Sequence, residues 1–168
     1  MKLLRTLHRY RPLAIGSAPL GIDVPMSDLD VACTSTNLVE FSDFAFDQFG
    51  LYPGFAADYV DVSGQRAMCV VFAAHGWEIE LLCQPIPIGE QWGVRHFLVQ
   101  QRLLNIDPRL RRGVRHLKKL GISTQSAFAQ ILGLPGDPYD AVAALASTSD
   151  VDLITLTTER LRTARDAL

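Results

Sequence analysis

The chain has 168 residues, 48% of them apolar and 20% charged, with a formal net charge of −2. That length suffices for one domain with a real core, and the near-neutral charge excludes a global basic field that would gather nucleic acid. No apolar run reaches membrane-spanning length, and the opening MKLLRTLHRYRPL is too broken by Arg and His for a signal peptide; Cys33, Cys69 and Cys83, odd in number and widely spaced, read as reduced core cysteines of a cytoplasmic protein.

Leu3, Leu4 and Leu7 predict a short helix that Pro12 ends. Leu13 to Ile15 then reads as a buried strand end. Gly16 and Ser17 follow at once, where a tight turn presents backbone N–H groups and a hydroxyl. A ten-residue loop, Ala18 to Ser27, carries Pro19, Gly21 and Pro25. A second strand is expected to open at Asp28. Strand side chains alternate faces, so Asp28 and Asp30 point one way while Leu29 and Val31 enter the core. Two like charges on one face repel unless a cation neutralises them, and hard oxygen ligands of this kind suit Mg²⁺ together with substrate phosphates.

Thr34 to Asn37 is a polar break with helix-capping residues. The apolar positions Leu38, Phe41, Ala45 and Phe49 then fit one helix face, with Gly50 placed as its stop. Three strands are expected next: Phe55 to Val62, Arg66 to Ala74 and Trp77 to Cys83, with turns at Ser63-Gly64 and His75-Gly76. Pro85 and Pro87 close the last of them. In that strand Glu78 and Glu80 share one face and Trp77, Ile79 and Leu81 the other. By itself such a pattern is the wet side of a half-exposed strand.

Ile15-Gly16-Ser17, the ten-residue spacer and Asp28-Leu29-Asp30-Val31 together resemble the signature of the DNA polymerase beta-like nucleotidyltransferase superfamily. The wording PLGIDVPMSDLD, WEIELLCQPIPI and LGLPGDPYDA is similar to a family of small bacterial proteins of unknown function within it. The resemblance implies an α+β fold: a mixed nucleotidyltransferase-type sheet with flanking helices and a C-terminal helical part. It also implies a third carboxylate on a strand beside the Asp-x-Asp strand, which helps hold metal and activates the attacking hydroxyl. Glu80, followed by the apolar run Leu81 to Cys83, is preferred for that role, with Glu78 as the alternative. Residues 1–88 are then the sheet core and 89–168 a helical part packed on it as one unit.

From about Gly89 to Leu104 a helix is expected, with Val94, Phe97, Leu98 and Leu104 on its apolar face. Gln91, Arg95 and Arg102 share another side. Arg95 closely follows the glutamate strand and is a candidate for a triphosphate, since guanidinium matches phosphate; Arg66 is a weaker one. His96 falls on a stripe with Trp92, Val99 and Leu103 and reads as a half-buried histidine. Asp107-Pro108 opens a helix to about Leu120 that carries Arg109, Arg111, Arg112, Arg115, Lys118 and Lys119, the one basic cluster. Its first reading is a solvated face, with a local site for RNA or an acidic partner as the lesser one; no aromatic residues interleave with it. Ser123 or Thr124, Asp137, and Asp150 or Asp152 are the expected caps of three further helices, and Phe128, Ile131, Leu132, Leu153, Leu156 and Leu161 are expected inward.

The resemblance implies transfer of an NMP group from an NTP to an acceptor hydroxyl. Asp28, Asp30 and Glu80 would be catalytic and, with Glu78, hold Mg²⁺ or Mn²⁺; Gly16, Ser17 and Arg95 would bind the nucleotide phosphates. The expected partners are an NTP and an acceptor that is a small molecule, an RNA or a protein, with no membrane. The alternative is an inactive nucleotide-binding module, or a toxin–antitoxin component, of the same fold.

Overall fold

The computed structural model describes residues 2–166, with side chains through residue 162. The chain divides into two compact units: Met1–Pro19 with Met26–Val94, and Leu20–Pro25 with Arg95–Leu168.

The first unit is built on a five-stranded sheet. Its strands are β1 (Leu13–Ile15), β2 (Leu29–Thr34), β3 (Ala56–Val62), β4 (Gln65–Ala74) and β5 (Trp77–Gln84), in the order β1-β2-β5-β4-β3. β2 and β5 pair in parallel and every other neighbour is antiparallel, so the sheet is mixed. A short helix α1 (Leu3–Thr6) and the longer α2 (Leu38–Phe49) supply its helical cover. The sequence accounts for α2 at both ends in different ways. Asn37 caps it, its side chain accepting from the Glu40 N–H at 3.1 Å. Gly50 ends it as expected, with a right-handed φ of −59°.

One face of the sheet is the core. Val31, Cys33, Ile79, Leu81, Cys83, Val70 and Phe72 are buried there with Phe41, Ala45 and Phe49 of α2. Phe72 stacks on Phe49 with ring centroids 4.7 Å apart, and Tyr10 meets Phe41 edge-on at 4.9 Å. Burying side chains of this size contributes about 1.5–3 kcal/mol each. The alternation of each strand sends the intervening residues to the opposite face.

The second unit is helical. α3 (Trp92–Ile106) runs into it, and α4 (Leu110–Lys119), α5 (Thr124–Leu132), α6 (Pro138–Ala144) and α7 (Asp150–Asp166) follow. Leu103, Leu104, Leu110, Val114, Phe128, Leu132 and Leu153 are fully buried in it. Leu98 is the exception to the expected apolar stripe of α3: it is 47% exposed, and Val99 and Leu103 are buried instead. The caps are local. Ser123 accepts from Ser126 N–H, and Asp137 accepts from the N–H groups of Tyr139 and Asp140. At α7 the capping oxygen is Ser149, which accepts from Asp152 N–H, in place of the expected Asp150 or Asp152. Arg102 holds Asp150 at 2.6 Å and the Thr148 carbonyl at 2.7 Å, which ties the α7 entry to α3. His96 is 2% exposed and its ring meets Tyr139 edge-on at 5.8 Å, so it is a core histidine. Burial lowers its pKa, against a smaller upward pull from Asp140. Among the described residues no helix is long and apolar enough to cross a membrane.

Candidate active site

Asp30 is the central residue of the non-core face. It sits on β2, and the parallel pairing with β5 sets it directly opposite Glu80, one strand spacing of about 4.8 Å away. Antiparallel pairing with β1 sets Ile15 opposite Asp30 on its other side. Gly16 follows Ile15 with a φ of +75°, and a side-chain carbon built there would land on the Asp30 carboxylate. The turn therefore needs glycine twice: for its left-handed backbone and for the carboxylate lying against it. Ser17 is 4% exposed, a buried hydroxyl at the end of that turn.

Asp28 does not open the strand as the alternation predicts; β2 begins at Leu29, and Asp28 is an exposed residue just before it. It still reaches the same group. Glu80 is partly buried and its carboxyl is held above the usual range, first by that burial, then by the charges of Asp28 and Glu78. Glu78 lies opposite Ala73 of β4 and is exposed, whereas Glu80 lies opposite Val71. The register thus separates the two glutamates: Glu80 is the partner of Asp30, and Glu78 is nearer the strand's open end.

A fifth carboxylate comes from β3, a strand expected from the sequence whose acid was not singled out. Asp58 of β3 is opposite Cys69 of β4, and Cys69 is on the face that carries Glu80. The Cys69 thiol is pushed up to about 11 by burial and then by Glu80, Asp58 and Asp30. One neutral thiol thus lies among three acids. The signal for Asp58 was its period-two spacing with Ala56 and Val60, which means nothing until the strand order is known.

Two arginines are the phosphate candidates of the sequence. Arg66 lies at the hairpin end of β4 opposite Asp61, and its guanidinium covers the Tyr59 ring at 3.5 Å. That contact, at the far end of the strand from Val71, removes it as a phosphate ligand of the acidic face. Arg95 is an exposed residue of α3 in the second unit. Gln91, grouped with Arg95 by helical spacing, is instead buried, and its amide donates to the Cys33 carbonyl at 2.7 Å.

Among the described residues no three His, Cys, Asp or Glu side chains form a ready metal cage. The donor chemistry still fits one kind of ion. All the acidic groups are hard oxygen donors, and the charged form of Glu80 is disfavoured by burial and then by Asp28 and Glu78. Mg²⁺ keeps waters and is held by one or two carboxylates plus substrate phosphates, so it does not require a closed protein cage.

The comparisons with known proteins give a family and, from solved structures, a fold. A model of a family described as Domain of unknown function (DUF4269) matches residues 1–145. No curated protein matches the sequence. Among solved structures the chain is similar to Cid1, studied for its RNA terminal uridylyl transferase activity, at a TM-score of 0.54 and 14% identity, over 77% of this chain and 42% of that one. It is similar to the Cid1 poly(U) polymerase with Mg and 3'-dATP bound, at 0.53 and 15%, over 83% and 44%. It is also similar to a chain of the GLD-2/RNP-8 complex, at 0.50 and 14%, over 77% and 51%. The chain spans about two fifths to one half of the length of these neighbours. At such identities the likeness establishes a nucleotidyltransferase-like α+β fold.

Proposed function

We propose that this chain, which belongs to the DUF4269 family, is a metal-dependent nucleotidyltransferase that moves an NMP group from an NTP to an acceptor hydroxyl. The observation that carries the reading is the direct register of Asp30 with Glu80, with Gly16 lying against the Asp30 carboxylate. It puts carboxylates from two strands next to a turn whose backbone can meet phosphate. The neighbours' complexes with Mg and nucleotide support the same chemistry.

Asp28, Asp30 and Glu80, with Glu78 beside them, would hold Mg²⁺ or Mn²⁺, which would supply positive charge to the triphosphate oxygens. The Gly16-Ser17 turn receives the β- and γ-phosphates through its backbone and the Ser17 hydroxyl. Glu80, drier than Glu78, accepts the proton of the acceptor hydroxyl. The acceptor oxygen bonds to the α-phosphorus, the bond from that phosphorus to the β-phosphate oxygen breaks, and pyrophosphate leaves. The three free cysteines suit a reducing compartment, which supports the cytoplasm.

The test is incorporation of α-labelled NTP into acceptors of a cell extract, with pyrophosphate release and calorimetry in parallel. Replacing both Asp28 and Asp30 by Ala should abolish the divalent-metal dependence of NTP binding. Glu80→Gln should keep much of that binding yet slow turnover by about 10²-fold or more, and Glu78→Gln should do less. Equal NTP affinity in EDTA and in Mg²⁺, for wild type and double variant alike, would sink the metal site. Tight Mg²⁺-dependent NTP binding with no labelling by any of the four NTPs would make the protein a binding module of the same fold.

A further inference from the structure

The second unit holds a groove of about 560 Å³ on α4 whose side-chain lining is almost wholly basic: Arg109, Arg111, Arg112, Arg115, His116 and Lys119. Gly21 and Pro108 complete its wall, and no acidic, aromatic or aliphatic side chain lines it besides Pro108. Gly21 comes from the segment Leu20–Pro25, distant in sequence but part of this unit.

Two of the cations serve the fold. Arg109 grips Asp107, Nε to Oδ1 at 2.9 Å and Nη2 to Oδ2 at 2.6 Å, which lowers the Asp107 carboxyl and raises the guanidinium. Arg111 donates to the carbonyls of Leu20 and Leu104, each at 3.3 Å, and so straps the Gly21 segment beside α4. Arg112, Arg115, His116 and Lys119 remain exposed. Among the described residues no carboxylate pairs with Arg112, Arg115 or Lys119.

A helix face that is merely solvated gains from acids placed three or four residues from its bases. α4, LRRGVRHLKK, has none. Positions 112, 115 with 116, and 119 fall on one side of the helix at intervals of about one 5.4 Å turn. Among the described residues no ion pair offsets the charges of Arg112, Arg115 and Lys119, so the stripe suits an anion from outside. The charges lie in a line along an open groove and do not converge on a point, which favours an extended ligand. Guanidinium forks match phosphate oxygens, and a groove without an apolar floor lacks the core of a protein–protein contact. Without aromatic walls it cannot stack bases.

We propose that the α4 groove binds the phosphodiester backbone of a single nucleic-acid strand without reading its bases. The site goes beyond the transfer reaction and does not rest on it. The field is local, since the whole chain carries a net charge of −2.

The experiment is fluorescence anisotropy of the full chain with short labelled oligouridine and oligoadenosine, in EDTA and without NTP, across a salt series. Both RNAs should bind within a few-fold of each other. Three strand phosphates contacted give a slope of log K against log salt of about −2. Arg112→Glu with Arg115→Glu should weaken binding at least tenfold at low salt and flatten the slope by about 1.4. Arg112→Gln with Arg115→Gln, checked by circular dichroism, should do the same in part, whereas the Lys–Lys variant should retain most of the binding. Absence of binding at low salt would overturn the proposal. So would Glu or Gln variants that bind like wild type, a preference between the two RNAs above tenfold, or competition by tripolyphosphate or polyglutamate as effective as unlabelled RNA. Metal and NTP are absent throughout, so a catalytically silent protein can pass and an active transferase can fail.

Discussion

On one face of the sheet Val31, Ile79, Leu81, Val70 and Phe72 meet α2 and are buried; on the other, Asp30, Glu78 and Glu80 come from the same strands and Asp58 from β3. The apolar face gains free energy from every side chain it hides. The acidic face loses some, because burial, and then the charges of Asp28 and Glu78, raise Glu80. A slip of one residue between β2 and β5 would carry the acids into the core and the aliphatics out of it. Burial on one face therefore enforces the crowding on the other, and repulsion there cannot relax by changing register.

The comparison is tested hardest on the buried side. Phe72→Ala removes a ring stacked on Phe49 and should cost about 3–5 kcal/mol, read from urea unfolding midpoints at unchanged slope. A loss under about 1 kcal/mol would mean that the core face does not hold the register. Gly16→Ala comes next. It forces a Cβ into a left-handed backbone and onto the Asp30 carboxylate, and should cost about 1–2 kcal/mol while weakening any Mg²⁺-dependent NTP binding. If melting temperature and calorimetry both match wild type, the turn and the carboxylate are independent.

The smallest effect has the opposite sign. Glu80 has a folded pKa above its unfolded one, so its ionised form is disfavoured in the metal-free fold. The penalty is fully present above the folded pKa and fades as pH falls through it towards the unfolded value of about 4.3. Glu80→Gln should thus raise the metal-free melting temperature slightly at neutral pH, and the gain should vanish on acidification. A gain that grows towards acid would mean that another group titrates there. The same substitution is expected to slow turnover, which would place stability and activity in opposition at one residue.

Local chemistry in the sequence carries most of the fold. The alternation in Leu29 to Cys33 and Trp77 to Cys83, the cap at Asn37 and the hairpin turn at Ser63-Gly64 are all short-range, and each strand lies within a residue or so of its expected limits. What was not legible depends on pairing between distant segments. The choice between Glu78 and Glu80 turns on β2 lying beside β5, and Asp58 joins the acidic face only because β3 follows β4 in the sheet order. Arg66 looked available because nothing near it in sequence announces the Tyr59 ring across the hairpin. The α4 stripe read as a solvated face because its missing wall, Gly21, comes from the loop after the Gly-Ser turn. Small errors at helix ends, such as Ser149 taking the cap in place of Asp150, reflect competition among adjacent oxygens for one N–H.

The parallel seam between β2 and β5 also sets an order of events. β4 can find β3 and β5 through tight hairpin turns, but β2 must wait for α2 and two strands to be placed before it meets β5. Contacts so far apart along the chain are slow to close. Amides of β2 are expected to gain protection from hydrogen exchange later than those of the β3–β4 hairpin during refolding. A newly made chain would then keep Asp30 and Glu80 apart until nearly everything else is in place, and would offer passing ions no half-assembled trap.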